Sequence, residues 1–143
     1  PLNCELRLTS PVVLFISFSP TNAAATPIGT FGPTLEQIVD ITLNAGTIPV
    51  LVTLPDDGTV DPAILSDYNQ VIVNAATQHS LHPDLDVPLW NVYNTMQGAT
   101  SGVYNAGGSS PADYTDPSLP FGVNRRGLTA LQVLDRIRTT FFP

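Results

Sequence analysis

Apolar residues fall along this chain in two kinds of run. The first kind is Pro11–Phe18, Pro-Val-Val-Leu-Phe-Ile-Ser-Phe, apolar at both parities and rich in β-branched and aromatic residues. A strand exposed on one face alternates apolar with polar, whereas one covered on both faces does not, so this run predicts a strand of a parallel sheet. Thr47–Pro55 has the same character and ends in the turn Pro-Asp-Asp-Gly-Thr. Asp86–Tyr93, Asp-Val-Pro-Leu-Trp-Asn-Val-Tyr, predicts a third strand.

Ser19–Pro33 reads as a loop, and between the strand runs the period then becomes helical. Thr34, with Gln37 three residues on, reads as a capping box opening a helix. Leu35, Ile38, Val39 and Thr42 share one face, and Gly46 closes the helix. Asp61 caps the next one, with Pro62 at its first position. Ile64, Leu65, Tyr68, Val71, Ile72, Ala75, Ala76 and His79 then form a continuous stripe at helical spacing. Met96–Pro120 is a Gly/Ser/Pro-rich loop, and a last amphipathic helix through Gly127–Ile137 turns Leu128, Leu131, Leu134 and Ile137 inward.

The order β-α-β-α-β-loop-α predicts an α/β domain spanning residues 1–143. Right-handed crossovers make its three strands parallel, in a helix-sheet-helix sandwich. Three strands are few for such a sheet, and Pro11–Phe18 becomes an edge. A flat, apolar, uncharged edge is an aggregation template that proteins normally cover. The expected cover is another chain, further copies of this one, or an N-terminal portion removed from it.

Composition narrows the function. The chain has 12 acidic residues against five basic ones, all arginine, for a net charge of -7. Such a surface repels phosphate backbones, which argues against nucleic-acid binding. Arg125-Arg126 reads as a surface or helix-start pair, with a single bound anion or partner carboxylate as the sharper reading. Few charges with abundant Thr, Ser, Asn and Pro fit an extracellular or cell-envelope protein. No apolar stretch approaches the roughly 20 residues of a membrane span. There is no signal-peptide pattern, and the first residue is Pro1, so the expectation is a processed or partial chain. Cys4, the single cysteine, is a core thiol, half of an intermolecular bridge, or a residue whose partner lies on a missing segment.

Three stretches in order, Phe-Ile-Ser-Phe-Ser-Pro-Thr-Asn-Ala-Ala from Phe15, Leu35–Pro55 and Asp86–Gly98, resemble the central and C-terminal parts of SGNH/GDSL-type hydrolases. The likeness continues into Phe121–Ile137. It implies a flavodoxin-like parallel sheet and an esterase or acyl-hydrolase ancestry. Such enzymes place a serine nucleophile in a Gly-Asp-Ser motif, oxyanion donors in Gly-Thr-Asn-Asp, and an acid-base pair in a late Asp-x-x-His. Here no Gly-Asp-Ser occurs. Thr21-Asn22 survives, but Ser19-Pro20 and Ala23 replace its neighbours; Asn22 is left as an oxyanion donor or a plain turn residue. Ser101-Gly-Val-Tyr104 stands where Asp-x-x-His is expected. A phenol titrating near pH 10 is a poor general base, and serine cannot stabilise an imidazolium. Loss of triad members lowers rates by on the order of 10⁴ to 10⁶.

Elsewhere, His79 and His82 read as capping or surface residues rather than bases. His82, Asp84 and Asp86, or Asp113 and Asp116, are spaced to meet a cation but lack the ligand number and glycine of a calcium loop. Trp90 reads as core packing at a strand end. The expectation is a non-catalytic SGNH-like domain without cofactor or metal, serving as a structural or binding subunit, with glycan or acyl binding in the old pocket compatible. An esterase whose nucleophile block lies on a separate chain is the alternative.

Overall fold

The computed structural model describes residues 2–82, 85–97 and 122–142. Its elements are α1 (Leu2–Thr9), β1 (Val13–Ile16), α2 (Pro20–Ala24), α3 (Ile28–Asn44), β2 (Ile48–Val52), α4 (Pro62–Gln78), β3 (Ser80–His82), β4 (Leu85–Asp86), β5 (Leu89–Trp90), α5 (Val92–Thr95) and α6 (Gly122–Phe141). The fold is mixed α/β, built on a parallel three-stranded sheet of order β1-β2-β5, with β3 and β4 pairing separately. Val13 lies opposite Ile48 and Ile16 opposite Leu51, while Leu51 and Val52 meet Leu89 and Trp90. Among the described residues the strand run at Pro11–Phe18 is therefore an edge, as the three-strand count implied, although only four of its residues pair.

Strand alternation divides the core. Leu14, Ile16, Leu51 and Leu54 join the cluster formed with Phe31, Leu35 and Val39 of α3 and Leu65, Tyr68 and Ile72 of α4. Val13, Phe15, Val50, Val52 and Trp90 join a second cluster with Ala130, Val133, Ile137 and Phe141 of α6. Successive strand side chains leave on opposite sides, so β1 and β2 feed both clusters.

The α4 prediction holds closely. Asp61 Oδ1 accepts from Ala63 N at 2.8 Å, Pro62 follows, and Leu65, Tyr68, Ile72, Ala75 and Ala76 are buried. Only the margin of its stripe fails, since Ile64 is 46% exposed.

Four expectations are corrected. The capping box at Thr34 does not form: α3 starts at Ile28, where Pro27 O accepts from Thr30 N and Phe31 N, and Thr34 Oγ1 donates to Thr30 O. The segment Ile-Gly-Thr-Phe-Gly-Pro looks like loop because Gly and Pro weaken helices. Packing overrides that propensity. Phe31 is buried, and Gly32 lets α4 approach so closely that a Cβ there would lie 3.4 Å from Val71 Cγ1.

The stretch after Phe18, read as loop, contains α2; Ser19 Oγ accepts from Asn22 N at 3.2 Å, with Pro20 at the first helical position. The run Asp86–Tyr93 is not one strand. Asp86 pairs with Ser80 in the small antiparallel ribbon, Leu89 and Trp90 join the main sheet, and Val92 begins α5. Pro88 has no N–H to donate, and Val87 N instead bonds Ala76 O and His79 O at the end of α4. Finally, α6 is rotated relative to the expected stripe. Leu131 is 51% and Leu134 36% exposed, and Ala130, Val133, Ile137 and Phe141 take the inward face.

Candidate functional site at the carboxyl ends of the strands

Parallel sheets bring their strand ends together, and open α/β folds keep chemistry at the carboxyl ends. Here that region is formed by Phe18–Asn22 after β1, Thr53–Asp61 after β2, and Asn91–Asn94 after β5. Its polar groups point largely at the backbone. Asn69, reaching in from α4, is 8% exposed and clamps Leu54: its Oδ1 accepts from Leu54 N at 2.6 Å and its Nδ2 donates to Leu54 O at 3.0 Å. Thr53 Oγ1 accepts from Tyr93 N at 2.9 Å and donates to Asn91 Oδ1 at 3.4 Å. The same Asn91 oxygen accepts from Asn94 N at 3.0 Å and starts α5.

The turn after β2 uses one oxygen of each of its carboxylates in the same way. Asp56 Oδ1 accepts from Gly58 N at 3.1 Å, and Asp57 Oδ1 from Thr59 N at 3.0 Å and from the Thr59 hydroxyl. Gly58 adopts φ 76°, the left-handed region that the turn requires and glycine enters without strain. Thr21 Oγ1 donates to Thr59 Oγ1 at 3.3 Å, tying α2 to this turn, and the Tyr68 hydroxyl donates to Thr26 O.

Of Asn22, Ser101 and Tyr104, the positions singled out by the resemblance, the structure describes Asn22. It lies exposed in α2, its backbone N–H held by Ser19 Oγ and its carbonyl accepting from Thr26 Oγ1 at 3.4 Å. Ser101 and Tyr104 lie outside the described residues, as do Asp84, Asp113 and Asp116.

The chain's two histidines sit elsewhere. α4 starts beyond the carboxyl end of β2 and leads back toward the start of β5, so its last turn lies at the amino ends of the strands. There His79 Nδ1 is 2.9 Å from Ala75 O, and Nε2 is 3.4 Å from Asp40 Oδ1 of α3. His82 follows in β3. The same end holds a groove of about 360 Å³ between Leu85–Leu89 and the last turns of α6, lined by Val133, Ile137 and Phe141 with Asp86, Arg136 and Thr140 among them.

Trp90 is 7% exposed; its Nε1–H donates to Thr129 Oγ1 at 3.2 Å, Phe15 meets it edge-on at 5.7 Å, and Arg126 lies 5.8 Å from its ring centre. Arg125 Nη1 donates to Gln97 O at 3.0 Å. The Arg125-Arg126 pair thus braces α6 against β5 and α5. Cys4 is a free, exposed thiol on α1, which corrects the core-thiol reading. Among the described residues, no group of three or more His, Cys, Asp or Glu side chains converges on one point, and no helix is long and apolar enough to cross a membrane.

Sequence reasoning missed Asn69 and Asn91. The signal for Asn69 was available: an amide embedded in an otherwise apolar helical stripe, between Tyr68 and Ile72, needs a buried partner. Asn91 could have been found as a cap, since it ends a strand and precedes Val-Tyr-Asn. Comparison of the chain with protein-family models, curated proteins and solved structures finds no match.

Proposed function

We propose that this chain is a non-catalytic, SGNH-hydrolase-like domain of helix-sheet-helix, flavodoxin-like architecture. It acts as a structural or binding subunit of an extracellular or cell-surface assembly. The observation that carries the reading is the β1 edge. Among the described residues β1 hydrogen-bonds to β2 alone, and Val13, Leu14 and Phe15 are only half-buried. The edge carries none of the charges, prolines or bulges that normally blunt an exposed strand, which suits it to receive a strand from another polypeptide.

The carboxyl-end geometry supports the non-catalytic part. Asn69, Asn91, Thr53, Asp56 and Asp57 bond nearby backbone groups, and the His79 imidazole lies toward the opposite end. A proton relay needs its base within about 3 Å of the nucleophile, or one water away. The two clusters on alternate strand positions support the layered architecture.

Two measurements on natively purified protein test this. Amide exchange of those Val13–Ile16 N–H groups that point away from β2 should be slow in the native assembly and fast in isolated monomer. Hydrolysis of p-nitrophenyl butyrate and labelling by a fluorophosphonate probe should stay at background. Turnover that disappears on changing Tyr104 would instead establish the esterase reading, with the nucleophile supplied by a separate chain.

A further inference from the structure

Helix threonines in this chain donate to the carbonyl one turn back, as Thr34 does to Thr30 O and Thr139 to Asp135 O. Thr140 is different. It lines the groove between Leu85–Leu89 and the last turns of α6, together with Asp86 and Arg136. Among the described residues, no hydrogen bond or ion pair engages the Thr140 hydroxyl, the Arg136 guanidinium or the Asp86 carboxylate. Asp86 and Arg136 do not pair with each other either, which leaves room for a ligand to span them.

The rest of the wall is apolar. Val87 and Ile137 are buried beneath it, and Leu89 and Phe141 are half-buried along it. A concave, largely apolar surface with a few convergent polar groups is the usual form of a ligand site. Its volume, about 360 Å³, stands near the low end of the roughly 300–1,000 Å³ of such sites and suits a small molecule. The charges select among ligands. A fatty acid would gain Arg136 but meet the like charge of Asp86, in a chain of net charge -7. A simple cation would meet the reverse conflict at Arg136. A zwitterion satisfies both, through charge-assisted hydrogen bonds at each end. The backbone narrows the class further. Leu51 N and Thr53 N bond Pro88 O and Trp90 O, so the N–H and C=O of Leu89 face away from β2. An amide in the ligand can pair with them, as peptides do along a sheet edge.

We propose that this groove binds short apolar peptides with free termini, of about two or three residues. Their side chains rest on Leu89, Ile137 and Phe141. The amino terminus meets Asp86 and the carboxyl terminus meets Arg136. The site lies at the amino ends of the strands, so it depends neither on the β1 edge nor on the pocket that a hydrolase would use.

Titration of the whole chain with the tripeptide Ala-Leu-Leu, read by calorimetry and by amide chemical shifts, tests the proposal. Wild type should bind it and shift the amides of Leu89, Ile137 and Thr140. N-acetylation or C-amidation of the peptide should each weaken binding by about fivefold or more. Asp86→Asn should erase the penalty of acetylation, and Arg136→Gln that of amidation. Thr140→Trp should fill the groove and abolish binding. All three positions are exposed, so thermal melting should remain near wild type. The capped peptides probe the two charges in unaltered protein. No binding of the free tripeptide at millimolar concentration would overturn the proposal. So would capped peptides, or octanoate, that bind as tightly as the free tripeptide.

Discussion

At the carboxyl ends of the strands, the side chains of Asn69, Thr53, Asn91, Asp56 and Asp57 are turned onto nearby backbone groups. At the amino ends, His79 bridges Ala75 O and Asp40 with its ring 16% exposed, and the neighbouring groove leaves Arg136 and Asp86 at its surface. The buried amide and hydroxyl groups of the first end hold loops, whereas the second end rests on an ion pair whose carboxylate, Asp40, is 62% exposed. At the location expected for catalysis in this fold class, the buried amide and hydroxyl groups among the described residues hold loop backbone. A buried amide bonded to the main chain strengthens the loop that carries it, and it has little hydrogen-bonding capacity left for a substrate.

Substitutions can break or sharpen that contrast. The largest effect is expected from Asn69→Ala, which strands a buried N–H and C=O of Leu54 and should destabilise the fold by about 3 kcal/mol, measured by urea denaturation. Thr53→Val keeps the shape but removes the acceptor for Tyr93 N, and should lower stability by about 1–2 kcal/mol. At the other end, Asp40→Asn removes a carboxylate that is 62% exposed, and the change should stay below about 0.5 kcal/mol. Asn22→Ala should be smaller still, within about 0.5 kcal/mol of wild type, with esterase activity at background in both proteins. A stability loss for Asp40→Asn equal to that for Asn69→Ala would erase the distinction between the two ends. Hydrolysis that falls with Asn22→Ala would return the carboxyl end to catalysis.

The parts legible in the sequence were those that local rules decide. Asp61-Pro62 and the stripe after it located α4 because cap, proline and apolar period agreed. Thr47–Pro55 located β2 for a similar reason: Val50, Leu51 and Val52 are buried on both sides, and continuous apolarity is the signature of that burial. Where local signals opposed packing, the sequence misled. Gly29, Gly32 and Pro33 read as a loop, yet the close approach of α3 and α4 makes Gly32 useful. Leu131 and Leu134 read as core, yet α6 settled on the face carrying Ala130, Val133 and Ile137. A helix with apolar residues on more than one face cannot choose among them by itself. Of the candidate site, Asn22 was placed but left at the surface, and the clamp at Asn69 went unread because its partner is a backbone group 15 residues away.

The sequence alone determined the α/β alternation, the caps of α4, the acidic balance and the absence of a Gly-Asp-Ser motif, because each depends on neighbours in the chain or on composition. Tertiary structure decided the start of α3, the division of Asp86–Tyr93 between two sheets, the outward turn of Leu131 and Leu134, and the use of Asn69. These depend on which surfaces meet. Contacts between residues far apart in sequence can exceed local propensities, which amount to no more than about 1 kcal/mol per ordinary residue.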